Sequence, residues 1–162
     1  MLGVAVRDLR SRPVGSQQAV ALRVSAEDVP DLGLAGDLEV RGTATNLGED
    51  GVRVDLQVEA VLLRECARCL RDVELPIDTE AEETFHDSGD EPLITLDTID
   101  LEPVIHEAVV LAEPMRVLCS PDCRGLCPKC GKDLNEGPCD CTDDEPDPRL
   151  AALAKLLPPR EE

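Results

Sequence analysis

An α+β chain is predicted here: a β-rich antiparallel sheet or open barrel with a short helix, followed by a Cys-rich module and a short terminal helix. Three features of the sequence predict it. Val52, Val54, Leu56, Val58, Ala60 and Leu62 alternate with Arg53, Asp55, Gln57 and Glu59, the period-two pattern of a long half-buried strand. A second alternating stretch, residues 38–46, precedes it across the turn LGEDG at 47–51. Six of the eight cysteines crowd into residues 116–142, where apolar residues are scarce.

The other elements follow in order. Residues 19–24 (AVALRV) are a weaker strand candidate. Val73, Leu75 and Ile77 alternate with acids to give another strand, and Pro76, which has no N–H for a ladder, predicts that it lies at an edge or is bulged. Residues 86–98 read as an acidic connection. A helix is expected over 101–112, capped by Asp100, with Pro103 in its first turn and Pro114 as its stop. Val104, Ile105, Ala108, Val109 and Ala112 share one face of it. The chain thus divides into a body, residues 1–115, a metal-dependent module, residues 116–142, and an acidic linker with a short helix, residues 143–162. No internal repeat is evident.

The body needs an unusual core. Phe85 is the sole aromatic residue, with no Tyr or Trp, so packing falls to Val, Leu, Ile and Ala. The net charge is −19 and is unevenly spread. Residues 1–71 carry 11 acids and 9 Lys/Arg, whereas residues 72–115 carry 14 acids and no Lys or Arg. Such a segment repels a phosphate backbone and offers an uninterrupted anionic surface to a basic protein. The plainer reading is that the acids keep the protein soluble. No apolar run is long enough for a signal peptide or a membrane span, which predicts a cytoplasmic, reducing location where structural disulfides are rare.

Eight cysteines in that setting point to metal. Cys127 and Cys130 (CPKCG) are two residues apart, and Gly131 lets the chain fold back so that backbone amides can face sulfur. Cys139 and Cys141 (CDC) follow within reach of a short loop, giving a four-cysteine set of zinc-ribbon type. Iron–sulfur ligation is the alternative, but the spacing matches no ferredoxin pattern. Cys66 and Cys69 (CARC) sit between two strands. With Cys119 and Cys123 (CSPDC) they are assigned to a second zinc site tying the sheet to the module. The competing readings are that one pair consists of free thiols, or that Cys119 or Cys123 joins the ribbon. A thioredoxin-like use of CARC would need a βαβ context, and none is visible.

Cations flank these cysteines: Arg64, Arg68 and Arg71 around CARC, and Arg124, Lys129 and Lys132 in the module. They are the candidate RNA contacts, against the reading that they only neutralise the −2 charge of a zinc tetrathiolate. His86 and His106 are weaker metal candidates. No phosphate loop, serine elbow or Cys/His couple appears, and a closed tetrathiolate site has no open position for activating water, so no catalytic residue is assigned.

The succession RECARCLRDVELPI, IDLEPVIHEAVVLAEPM, LCSPDCRGLCPKCGKDLNEGPCDC and DPRLAAL resembles the YceD family, the large ribosomal RNA subunit accumulation proteins, over about Leu38 to Leu157. The resemblance implies a non-enzymatic accessory role in 23S rRNA accumulation and large-subunit biogenesis. Its implied partners are a ribosomal precursor particle, a basic ribosomal protein or a 23S rRNA precursor, with neither membrane nor small-molecule substrate. Competing functions are an acidic zinc-containing module for an unrelated basic protein, and an RNA-processing or thiol-redox enzyme.

Overall fold

The apolar alternation over 38–62 becomes the inner face of a hairpin. In the computed structural model, which describes residues 2–89 and 92–141, β3 (Leu38–Gly48) and β4 (Gly51–Glu65) pair antiparallel. Val40, Ala44, Val52, Val54, Val58 and Leu62 are fully buried on one side. Each buried Val or Leu of this row contributes about 1.5–3 kcal/mol relative to exposure. The turn is tight, with only Glu49 and Asp50 between the paired Gly48 and Gly51, whose φ angles are 73° and 99°. Side chains disfavour that left-handed region, and at Gly51 a Cβ would also run into the Phe85 carbonyl.

β2 (Gln17–Val24) flanks β3, and β5 (Asp72–Phe85) flanks β4, so the open sheet has the order β2-β3-β4-β5. Pro76 therefore lies on an edge strand, opposite Val61, as its missing N–H predicted. β5 runs seven residues beyond the expected Asp78, because its second half alternates acids with Thr79, Ala81 and Phe85 rather than with a strong apolar row.

Val6 and Leu9 are fully buried although no element is expected before residue 19. A short strand β1 (Gly3–Ala5) pairs with β6 (Thr98–Asp100), and a one-turn helix α1 (Arg7–Arg10) follows it. These segments are too short to show a period. The helix α2 (Glu102–Ala112) buries Ile105 and Val109 and packs against β4 and β5. Leu101, not Asp100, occupies its cap position. The Asp100 carboxylate accepts both the Glu102 and the Leu2 amides at 3.1 Å, joining the helix start to the N-terminal strand.

Asn46 is the buried polar residue of this core, where β3 bulges. Its amide donates to the carbonyls of Arg12 at 2.8 Å and Leu9 at 3.4 Å, and its carbonyl accepts the Gly48 N–H at 2.9 Å. It thus holds α1 to the sheet and shapes the turn.

The acids of residues 72–115 do not form one uninterrupted surface. Asp97 binds Arg7 at 2.9 Å and Arg10 at 3.4 Å, and Asp87 binds Arg10 at 2.5 Å. Glu82 binds Arg53 at 2.9 Å, and Glu113 binds Arg64 at 2.6 Å. Folding brings arginines of the first 71 residues onto these carboxylates, so the net charge of a segment is not the charge of a face.

The chain divides into two compact units, one ending at Cys123 and the other starting at Arg124. The division lies eight residues after the expected boundary at 115, and Cys119 and Cys123 belong to the first unit. The expected linker and helix over 143–162 lie outside the described residues. Among the described residues no helix is long and apolar enough to cross a membrane.

Two substitutions test this packing. Asn46→Leu keeps the branching of the side chain but strands the Arg12 carbonyl and the Gly48 amide, and is expected to lower unfolding stability by about 1–3 kcal/mol. Gly51→Ala is expected to cost about as much, through strain at φ 99° and crowding of Phe85. Chemical denaturation reads both, and a loss below ~0.5 kcal/mol in either would contradict the assigned role.

Candidate metal centres

Two turns of the same design carry the paired cysteines. At the tip of the β4–β5 hairpin, the Cys66 N–H donates to the Arg71 carbonyl at 2.8 Å, and the Leu70 N–H donates to the Cys66 carbonyl at 2.9 Å. In the second unit, the Cys127 N–H donates to the Lys132 carbonyl at 2.8 Å, and the Gly131 N–H to the Cys127 carbonyl at 2.9 Å. The fifth residue of each turn has positive φ, 59° at Leu70 and 72° at Gly131. Each turn aims two amides at its first sulfur, those of Arg68 and Cys69 at Cys66 and those of Cys130 and Lys129 at Cys127. The expectation of no internal repeat is thereby corrected. The short pattern Cys-x-(Arg/Lys)-Cys-x-(Arg/Lys), present as CARCLR and CPKCGK, is the sequence signal for it.

Each turn meets a second pair of cysteines. The Ala67 N–H donates to the Val117 carbonyl at 2.9 Å, which lays residues 117–123 along the hairpin tip. The Sγ atoms of Cys66 and Cys123 are then 3.8 Å apart, and those of Cys69 and Cys119 are 3.5 Å apart. All four lie within 4.8 Å of one another. In the second unit Leu134 N–H bonds to the Gly125 carbonyl, and Cys127, Cys130, Cys139 and Cys141 gather within the same 4.8 Å limit.

These separations are too long for disulfides, whose sulfurs sit about 2.0 Å apart. They suit a tetrahedral ion: with sulfur about 2.3 Å from zinc, the edge of the tetrahedron is about 3.8 Å. The donor set makes the same demand. Amides of Cys119, then of Arg68 and Cys69, hold the Cys66 thiol down to about 6, while Cys69 and then Cys123 push Cys119 up to about 12. The Cys130 and Lys129 amides hold Cys127 down to about 6, and Cys130 pushes Cys141 up to about 12. One sulfur in each group, Cys66 or Cys127, ionises readily, while Cys119 or Cys141 resists, first because of the hydrogen bond to a neighbouring cysteine and then because like charges at this distance repel. A divalent cation at the centre removes that conflict. Both groups can therefore hold a metal ion.

The two groups differ in exposure. Cys66, Cys69 and Cys123 are buried and Cys119 half-buried, whereas Cys130 and Cys141 are exposed. Among the described residues neither His86 nor His106 joins either group.

The flanking cations fall into two sorts. Arg64 grips Glu113 with two bonds, of 2.6 and 2.7 Å, and caps the Leu32 carbonyl, so it fastens the end of α2 to β4. Arg68 donates to the Cys123 carbonyl at 2.6 Å, and Lys132 to the Pro138 carbonyl at 2.8 Å, each linking the two halves of its own sulfur group. Arg71, Arg124 and Lys129, like Arg68 and Lys132, are exposed on the same turns and loops.

Comparison with known proteins bears on these centres. Residues 54–157 match the family described as "Large ribosomal RNA subunit accumulation protein YceD". An uncharacterized protein of Mycobacterium tuberculosis is 37% identical over 139 residues, covering 80% of this chain and 65% of its own length. The chain thus spans just under two thirds of that relative. The uncharacterized protein YlbN of Bacillus subtilis is 32% identical, covering 78% of each chain. The Arabidopsis thaliana protein "Large ribosomal RNA subunit accumulation protein YCED homolog 1, chloroplastic" is 36% identical over 58 residues, 36% of this chain and 18% of that one. No solved structure matches. The matched segment holds both sulfur groups and the β4–β5 hairpin between whose strands the first is built: the chain belongs to the YceD family.

Proposed function

We propose that this protein is a non-enzymatic accessory factor in the accumulation of large-subunit ribosomal RNA, held in shape by zinc at two four-cysteine centres. The family match over residues 54–157 carries the reading, because it takes in most of β4, all of β5 and α2, and all eight cysteines. The metal centres support a structural rather than catalytic role. Four sulfurs complete a tetrahedral shell and leave no position for water or substrate. Zinc is the ion assigned because a tetrahedral four-sulfur shell with knuckle spacing suits it and the spacing matches no ferredoxin pattern. Thiols kept available for metal accord with a reducing, cytoplasmic setting. The working partner is a precursor particle of the large subunit.

Loss of the protein from its host is expected to lower 23S rRNA relative to 16S and to deplete large subunits on sucrose gradients. Complementation with the intact chain is expected to restore both, and the Cys66→Ser/Cys69→Ser double variant to fail. Unchanged rRNA ratios after loss of the protein would overturn the reading.

Direct contact with precursor rRNA through the turns is a second reading, favoured by the exposure of Arg71, Arg124 and Lys129. Arg124→Glu with Lys129→Glu is expected to abolish filter binding of a 23S precursor fragment, and retention of binding would remove this reading.

The metals have their own test. A chelator is expected to release two equivalents of zinc in two phases. The fast phase comes from the exposed group of Cys130 and Cys141, and the slow one from the buried group of Cys66, Cys69 and Cys123. Thiol reagents should modify cysteines only as each phase proceeds, and immediate reaction of most thiols before chelation would contradict structural ligation.

A further inference from the structure

The inward rows of the sheet are buried, but its other face is open on all four strands, where Arg23, Arg41, Glu59 and Glu80 are exposed. Strand register fixes what this face presents. Glu59 of β4 lies directly between Glu39 of β3 and Asp78 of β5, and Glu80 follows two residues beyond Asp78. Like charges directly opposite each other across a sheet are destabilising. Arg41 relieves Glu39 at 2.6 Å, and the Gln57 amide serves Asp78. Glu59 and Glu80 have no ion pair among the described residues, since β5 carries no Lys or Arg at all. A face kept only for solubility would gain by alternating sign across the strands. This one places its repulsion at the centre, and local rules of this kind are broken where function demands it.

An apolar step adjoins the charge. Val61, 37% exposed, lies opposite Pro76 in a shallow groove of about 560 Å³ whose walls include Asp37, Glu39, Glu59 and Asp78. A neighbouring depression of about 430 Å³ continues along Asp55, Gln57, Glu80 and Glu82, with Arg41, which is paired with Glu39, as its one cation among the described residues. A polyanion is repelled here, whereas an extended polypeptide bearing Arg or Lys on alternate positions has its cations spaced as the carboxylates of a strand are, two residues apart.

We propose that this open sheet face seats a basic, extended segment of a protein partner, with cationic side chains over Glu59, Asp78 and Glu80 and an apolar side chain over Val61 and Pro76. The inference rests on the ribosome-assembly reading only for the source of the partner, because chains that bind RNA are rich in such segments. The surface itself stands on register, charge and exposure. It differs from the anionic segment expected from the sequence: half of the row comes from β3 and β4, and several acids of 72–115 are engaged by arginines.

The test is fluorescence anisotropy of the full-length, metal-loaded protein with a labelled twelve-residue peptide of alternating Arg and Val. The triple variant Glu59→Gln/Asp78→Asn/Glu80→Gln is expected to bind it about tenfold more weakly. Glu27→Gln/Glu49→Gln/Asp50→Asn, which removes the same charge from exposed loops, is expected to change binding by less than about twofold. The face variant is also expected to melt at a higher temperature, because it relieves repulsion, so weaker binding is not a folding defect. Equal loss in both triples, or no binding by the unaltered protein, would overturn the proposal. So would binding of oligouridylate that the face variant abolishes, or a change of oligomeric state in that variant, which would assign the face to RNA or to a second copy. None of these outcomes depends on rRNA accumulation in the host, so this proposal and the ribosomal reading can fail separately.

Discussion

Sulfur brought against sulfur is the constraint on which the structure turns. At the hairpin tip and again in the second unit, four thiols lie within 4.8 Å of one another. Four ionised sulfurs at that distance repel strongly, and four protonated ones waste the amides that each turn aims at its first cysteine. A divalent cation at the centre would reconcile the two. The second unit depends on this most, because residues 124–141 contribute little beyond Gly125 and Cys127 to the buried set. Where a metal binds a segment without an apolar core, the binding free energy of the ion serves as folding free energy.

The first unit solves a different problem. A core with one aromatic ring must fill its volume with branched aliphatic side chains, and the long β3–β4–β5 meander suits Val and Leu in alternate rows. Its sulfur group then closes the far end of the hairpin, where Arg64, bonded to Glu113 and the Leu32 carbonyl, already fastens α2. The sulfur group and aliphatic packing meet at that end: Leu62 is fully buried and Cys66, four residues on along the same chain, is equally so.

What the sequence made legible follows physical lines. Strands β3 and β4 were readable because burial on one face imposes period two, and Pro76 marked its strand as an edge because a missing N–H is intolerable inside a ladder. The N-terminal strand and α1 were not readable, since three or four residues cannot display a period even when Val6 and Leu9 are fully buried. The cap position of α2 falls on Leu101, yet the Asp100 carboxylate accepts the Glu102 amide as well as that of Leu2, a partner 98 residues away that no local pattern encodes. The spacing of CPKC and CDC carried the grouping of the second unit's cysteines. The meeting of CARC with CSPDC rests on a hydrogen bond from Ala67 to Val117, which no local spacing encodes. Charge was the least legible quantity. The acids of 72–115 form a block in sequence, yet Asp87, Asp97 and Glu113 are matched by arginines in space, and the carboxylates left without an ion pair on the sheet face, Glu59 and Glu80, sit on two different strands.

The central claim is that each group of four cysteines surrounds one metal ion. X-ray absorption at the zinc edge of protein purified under reducing conditions, with metal content measured on the same sample, tests it most directly. The account requires two zinc ions per chain, each in a shell of four sulfurs at about 2.3 Å. A shell dominated by nitrogen or oxygen, or fully folded protein carrying less than one equivalent of metal, would contradict it.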